Sequence, residues 1–227
     1  IKKFPSKEEI ENSKWQARNC CNASPTLKED LKKNYYQCTN CFNCFPMPPY
    51  ERFRYMFIQN NYEILNTPTI NDNNLLSWED ASGKYKHKLA KTRKKTGLNS
   101  AVSVAYGSLT EQLNAVVVAS DFSYFGASTG PDEGESILSA CSKAIETKSP
   151  LILFAMGGGM RMQIPAAVSL MQMPRTVLGI SEVKKKGIPV IVIADSVVAG
   201  GISASYAAIG DFLFFEGNKS RWMFAGP

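Results

Sequence analysis

From about residue 100 the apolar positions fall into short runs at regular intervals, and each run predicts an element. "AVSVAYGSL" and "NAVVVASDF" are β-rich runs with a short polar turn between them, the pattern of a hairpin. "GESILSACSKAIETK" sets Ile137, Leu138, Cys141 and Ile145 on one stripe, which predicts an amphipathic helix. "PLILFAM" reads as a short buried strand, followed by a helix from about Met162 to Lys186 that Pro165 and Pro174 perturb. "GIPVIVIAD" is a second fully apolar strand. After it, "SVVAGGISASYAAIGD" gives a loop, a glycine pair and a small-residue helix, and "FLFFEG" gives a third strand. Strands alternating with helices at this spacing predict crossover units in an α/β fold, with strands buried on both faces. No internal repeat at a solenoid period is present.

Upstream the pattern is different. Residues 1–50 are polar, rich in lysine and asparagine, and closed by "CFPMPPY", where Pro46, Pro48 and Pro49 break the chain. We therefore expect a small cysteine-bearing unit at 1–50 and the main domain at 51–227. Residues 51–96 read as helical or irregular. In them "NDNNLLSWED" is a loop leading to a helix start, and "YKHKLAKTRKKTG" is a helix stopped at Gly97.

Composition narrows the class. The 227 residues allow one large domain, or one with a small appendage, and 44% hydrophobic with 20% charged is ordinary for a globular protein. No apolar run approaches the roughly 20 residues that span a bilayer, and no secretory apolar region stands near the start. The first residue is Ile1, as expected of a processed or partial chain. The net charge of +6 is concentrated in Lys84–Lys95 and Lys184–Lys186. Two readings stay open for these runs, solvated helix faces or a surface for phosphates. Of six cysteines, Cys20, Cys21, Cys38, Cys41 and Cys44 crowd the first fifth of the chain and Cys141 stands alone. That distribution suggests a metal-bound knuckle joined to a reduced intracellular domain.

The candidate chemistry lies in two glycine loops. Gly157-Gly158-Gly159 follows one buried strand and Gly200-Gly201 follows the next, each ahead of an expected helix. Glycines there let a ligand oxygen approach backbone N–H groups with no Cβ in the way. Two such loops at the same end of neighbouring strands would line one crevice, suited to an oxyanion such as a thioester enolate. The other reading is that the glycines only permit tight turns. Neither loop matches a nucleotide-phosphate motif. His87, the single histidine, sits in the lysine-rich helix and reads as a surface residue. No Ser-His-Asp constellation is in view, so catalysis would rest on positioning and oxyanion stabilisation. Arg161, Asp195 and Asp211 are the nearest charged candidates, each read first as an ion pair or cap.

Several ordered motifs carry a resemblance. "GGGMRMQ", "SLMQMPRT", "AGGISASYAAIGD" and "FAGP", with "KTRKKTGLNSAV" and "DFSYFGASTG" upstream, resemble the β subunit of the carboxyltransferase of multisubunit acetyl-CoA carboxylase over residues 20–227. The resemblance implies a crotonase-like spiral superhelix of ββα units with an N-terminal zinc-ribbon-like domain. It implies transfer of a carboxyl group from carboxybiotin on a carrier protein to acetyl-CoA, giving malonyl-CoA for fatty acid synthesis. Implied partners are the α subunit, the biotin carboxyl carrier protein, biotin carboxylase and a second β copy. Gly158, Gly159, Gly200 and Gly201 match the oxyanion-loop glycines; Gly126, Gly130 and Arg161 are the implied cofactor-binding residues. The implied zinc ligands are Cys20, Cys21, Cys38 and Cys41, with Cys44 as an alternative to Cys20.

This chain also departs from the family. Arg18 stands where one family cysteine is expected, which leaves a degenerate knuckle without metal as the other reading. Ala127 replaces a glycine, Ile164-Pro165 follow where the family has a glutamate, and the chain stops at "FAGP". A catalytically inactive β-like subunit with an assembly role is therefore the alternative function. A third is nucleic-acid binding through the knuckle and its aromatics Tyr35, Tyr36, Phe42 and Phe45. The enrichment in asparagine, lysine and isoleucine hints at A+T-rich coding, so plastid stroma is expected, with bacterial cytoplasm as the alternative.

Overall fold

The computed structural model describes residues 15–16, 20–21, 25–67, 84–162 and 164–225. Its centre is a six-stranded sheet in the order β3-β4-β5-β6-β7-β8. The strands are β3 Tyr62–Ile64, β4 Val102–Thr110, β5 Leu113–Ser120, β6 Leu151–Gly157, β7 Val190–Ala199 and β8 Phe212–Met223. β3, β4 and β5 pair antiparallel, and from β5 to β8 every pairing is parallel. A separate antiparallel pair, β1 (Trp15–Gln16) with β2 (Thr26–Leu27), lies in the cysteine-bearing segment. The helices are α1 Lys28–Lys33, α2 Pro49–Met56, α3 Lys84–Thr96, α4 Pro131–Thr147, α5 Ala166–Leu170 and α6 Gln172–Lys185.

Side chains alternate across a strand, so a strand covered on both faces must be apolar throughout. Val116 and Val118 point into one core with Leu151, Leu153, Val190 and Val192, while Val117, Ala119, Ile152 and Phe154 point into another. Helices α4 and α6 close the first core with Ile137, Ala140, Cys141, Ala144, Ile180 and Val183. Phe53 of α2 and Phe57 just beyond it close the second. Each large side chain withdrawn from water contributes roughly 1.5–3 kcal/mol, which favours unbroken apolar runs in β5 and β6.

The expected hairpin is β4–β5, closed around Glu111-Gln112 by the pair Thr110–Leu113. Helix α4 begins three residues before the expected Gly134: Gly130 caps it, Pro131 supplies a preset φ, and the Glu133 carboxylate accepts the Gly130 N–H at 2.7 Å. Its buried stripe runs Ile137–Ala140–Cys141–Ala144, with Leu138 and Ile145 at the margin. The helix expected from Tyr85 up to Gly97 is α3, and Gly97 follows it with φ +69°. "NDNNLLSWED" and Arg18 lie outside the described residues, as does the end of "FAGP".

Two expected helices differ. Met162–Lys186 is not one helix: no helix covers Met162 or Pro165, and the segment divides into α5 and α6. Pro165 adopts an extended conformation (φ −49°, ψ 117°), and a proline biases the residue before it away from the helical region. Pro174 is the third residue of α6, where a missing N–H costs no helical bond. The small-residue helix after Gly201 is a succession of turns, with N–H bonds reaching back three, four and five residues. The Ser203 and Ser205 hydroxyls donate to the Gly200 and Gly201 carbonyls, a local alternative to the regular helical ladder.

Helix α2 straddles the expected division at residue 50 and ties the cysteine segment to the sheet. Arg52 donates to Asp195 of β7 at 2.6 Å and to Glu216 of β8 at 3.1 Å, with its guanidinium 4.1 Å over the Phe154 ring. Burial raises the Asp195 carboxyl from 3.8 to about 6; Arg52 opposes this and Glu216 adds to it. A carboxyl whose pKa is higher folded than unfolded gives its full stability below the unfolded value. That contribution is lost as pH rises from about 4 through about 6. Asp195→Asn should therefore flatten the fall in unfolding free energy across that window, measured by urea denaturation. Arg52→Met leaves two carboxylates without their cation and should cost about 3–5 kcal/mol. A change under about 1 kcal/mol would contradict the reading of this triad as the anchor of α2.

Candidate functional site

Three loops meet at the carboxyl ends of β5, β6 and β7: residues 121–130, 157–161 and 199–205. Ligands in open α/β sheets bind at this end of the strands. The loops at 126–130 and 157–161 are zipped together by backbone bonds. Gly158 N–H donates to the Gly126 carbonyl (3.3 Å), Thr129 N–H to the Gly159 carbonyl (2.9 Å) and Arg161 N–H to the Thr129 carbonyl (2.8 Å). The glycine loops touch as well: a Cβ on Gly159 would lie 3.3 Å from the Gly201 nitrogen, and one on Gly200 would lie 3.3 Å from the Gly158 carbonyl oxygen. Gly157, Gly159 and Gly200 have φ of +140°, +116° and +57°, conformations that side chains rarely adopt. Gly158 is the exposed member, with open space where its Cβ would be.

The structure thus brings Gly158, Gly159, Gly200 and Gly201 together, and the backbone N–H groups of Gly159 and Gly201 have no protein acceptor among the described residues. One element of the expectation is corrected. Neither loop feeds a regular helix directly, since α5 starts only at Ala166 and turns follow Gly201. Any donors here are loop amides held by their neighbours, without the dipole of a helix end.

Gly126, whose carbonyl accepts the Gly158 N–H, has φ +63° between Phe125 (φ +49°) and Ala127 (φ +54°). Ala127 is therefore a non-glycine residue in left-handed conformation. Gly130 caps α4, and a Cβ there would lie 3.1 Å from both Arg161 Nη1 and Glu133 Oε2. Arg161 does not face the crevice. Its side chain is 0% exposed, bonded to Glu133 at 2.7 Å and to the Ser128 carbonyl at 2.9 Å, and its guanidinium lies 5.0 Å from the Phe125 ring centroid. Burial alone would lower its pKa, and the Glu133 carboxylate outweighs that, keeping the guanidinium charged. Asp211 likewise pairs with Lys184 at 3.0 Å and accepts the Val190 N–H. The sequence reading did not single out Glu133; its signal was the "GPDE" stretch, a helix start with an acid at the third position.

The cysteines form a second cluster. The Sγ atoms of Cys20, Cys21, Cys38 and Cys41 all lie within 4.8 Å of one another. Cys20–Cys21 and Cys21–Cys38 are 3.9 and 3.8 Å apart. Four thiolates at about 2.3 Å from one ion define a tetrahedron of about 3.8 Å edge. The donor set therefore fits a tetrahedral, thiolate-preferring ion such as Zn2+. The N–H groups of Cys41 and Asn40 hold the Cys38 thiol down at about 6, and burial pushes Cys20 up to about 12. Cys44 stands apart: its sulfur packs where a Gly217 Cβ would be, against β8. Tyr36 and Phe45 belong to the small core of this segment, while Tyr35 and Phe42 are exposed.

The model of the carboxyl transferase domain matches residues 69–227. The chain belongs to the carboxyl transferase family. It is similar to the acetyl-coenzyme A carboxylase carboxyl transferase subunit beta of Pelagibacter ubique, 43% identical over 95% of this chain and 68% of the relative. The subunit of that name from Hirschia baltica is 43% identical over 81% of this chain and 52% of its own length. The chain thus spans about half to two-thirds of these relatives. A solved transcarboxylase 12S superposes with TM-score 0.60 at 19% identity, over 88% of this chain and 34% of that one. The expected crotonase-like α/β fold is therefore shown. Among the helices of the described residues none is long and apolar enough to cross a membrane.

Proposed function

We propose that this chain is the β-type component of an acetyl-CoA carboxylase carboxyltransferase, transferring a carboxyl group from carboxybiotin on a carrier protein to acetyl-CoA. What supports this reading is the contact between the two glycine loops, together with amides of Gly159 and Gly201 that have no acceptor among the described residues. In the reaction the acetyl methyl loses a proton, the new C–C bond forms as the N–CO2 bond of carboxybiotin breaks, and the proton ends on the biotin nitrogen. Negative charge develops on the thioester oxygen meanwhile, and preorganised N–H donors lower that barrier. Gly126 and Lys88 of α3, whose ammonium lies 5.7 Å over the Phe125 ring, would meet the coenzyme A portion.

The partners we propose are an α-type carboxyltransferase chain completing the site, the biotin carrier, biotin carboxylase and a second copy of this chain. The relatives named above are bacterial, which supports bacterial cytoplasm over the plastid stroma. We also propose a structural Zn2+ on Cys20, Cys21, Cys38 and Cys41, and residues 1–50 and 51–227 as the two units, joined through α2.

Co-expression with an α-type chain should give a complex that survives size-exclusion and forms malonyl-CoA from acetyl-CoA and the carboxylated carrier. A chain that stays apart from every α-type partner contradicts the assignment. A stable complex with no turnover would instead identify an inactive β-like subunit.

A further inference from the structure

We propose that Glu133 is a positioning residue for the glycine crevice, acting through Arg161. This rests on the function proposed above. Glu133 lies in the first turn of α4, fully buried, and all its known partners are polar. Its Oε1 accepts from the Ala101 N–H at 2.9 Å, the Ser100 hydroxyl at 3.3 Å and Arg161 Nη2 at 2.7 Å, and its Oε2 accepts from the Gly130 N–H. One carboxylate thereby joins the start of β4, the cap of α4 and the loop after β6. A buried carboxylate is stable only while those donors surround it, so their relative placement is tightly specified.

The consequence reaches the crevice through the backbone. Arg161 Nη2 also donates to the Ser128 carbonyl, and the Arg161 N–H to that of Thr129. Thr129 in turn holds the Gly159 carbonyl, and Gly126 holds the Gly158 N–H. The peptide groups on both sides of the Gly158–Gly159 peptide are thus pinned to the 126–130 loop, and the ion pair keeps that loop in place. Only the peptide between them, which carries the Gly159 N–H, is left for the crevice. Gly130 fits the same account, because a Cβ there would press on both Arg161 and Glu133. Glu133 touches no reacting atom; it determines where the Gly159 amide stands relative to Gly201.

Two variants separate positioning from general stability. Glu133→Gln keeps the shape and removes the charge that holds Arg161. Glu133→Asp keeps the charge and withdraws it by about one methylene. Both are studied in the complex with the α-type chain, with kcat and KM for acetyl-CoA measured separately. The Gly159 and Gly201 amide signals of glycine-labelled chain are followed as well. A displacement near 1 Å can cost on the order of 10²-fold, so kcat should fall by about that factor while KM stays within about twofold. The two amide signals should shift together, and an exposed control, Glu182→Gln, should move neither. Unchanged kcat and unmoved glycine amides in a variant with a lowered melting temperature would overturn the proposal and leave Glu133 as a structural residue. If Glu133→Gln does not fold, Glu133→Asp decides by the same criteria. If the parent complex shows no carboxyl transfer, the functional reading fails and the amide shifts alone still decide the positioning role.

Discussion

Gly158→Val should fold normally and lower carboxyl transfer by about 10²–10³, the loss that follows removal of one oxyanion donor elsewhere. Of the glycines in the crevice this is the clean probe. A Cβ on Gly158 meets no atom within 4 Å, and its φ lies outside the left-handed region, so neither packing nor backbone resists the substitution. The isopropyl group then occupies the space that a thioester oxygen would need beside the Gly159 amide. Gly159→Val tests something else. At φ +116° a β-branched residue is strained whatever the space, and its Cβ would press on the Gly201 nitrogen at 3.3 Å. Gly201→Val drives its Cβ into Met160 and Met173, both flexible, so it repacks the loop before it blocks anything. The expected pattern is a melting temperature unchanged in Gly158→Val and lowered in Gly159→Val, with activity lost in both. Melting curves, size-exclusion with the α-type chain and steady-state malonyl-CoA formation provide the three readings. A folded Gly158→Val complex working at the parental rate would refute the crevice as the oxyanion site and return these glycines to a role in turning the chain.

Much of the fold around the two glycine loops is legible in the sequence, for a physical reason. β5, β6 and β7 are covered on both faces, and double burial writes itself into sequence as continuous apolar runs such as "NAVVVAS" and "PLILFAM". The glycines between a run and the next helix mark where backbone approaches backbone. What stayed hidden was carried by single polar groups. Glu133 looks like any acid in a first helical turn, and only the fold reveals that Ala101, Gly130 and Arg161 converge on it from three elements. Arg161 shows the other case: its residue type and place suggest an ion pair or cap, and its guanidinium is enclosed by Glu133, Tyr124 and Phe125. The turns at 201–208 were missed because helix propensity is a weak prior. "ISASYAAIG" is alanine-rich, but its serine hydroxyls bond to nearby carbonyls. Arg52 and its two carboxylates are 143 or more residues apart in sequence, a distance over which no local pattern speaks.

If the four cysteines hold the proposed Zn2+, its removal should unfold the segment around α1 while leaving the six-stranded sheet in place. Among the described residues the hydrophobic core of that segment holds Leu31, Tyr36 and Met47, with Phe45 and Tyr55 partly buried against it. At roughly 1.5–3 kcal/mol for each large buried side chain, this cannot by itself order so short a stretch. No disulfide links these cysteines to make up the difference. Four sulfurs within 4.8 Å of one another would also repel as thiolates unless a cation sits among them. Structural Zn2+ supplies about 10–16 kcal/mol in isolated zinc-finger peptides at pH 7, ample for the task. Elemental analysis should give about one zinc per chain. Cys38→Ser and Cys41→Ser should lose it, whereas Cys44→Ser should keep it, because the Cys44 sulfur lies against Gly217 of β8. Chelation should release the Lys32–Glu51 ion pair and the Tyr55 hydroxyl bond to the Lys32 carbonyl, both of which tie α1 to α2. The sheet has its own two cores, so most of the far-ultraviolet signal should persist. Hydrogen exchange should then show deprotection confined to the cysteine segment and α2. Metal-free protein with Cys38→Ser unchanged in exchange and in thermal unfolding would remove zinc from the account of this chain.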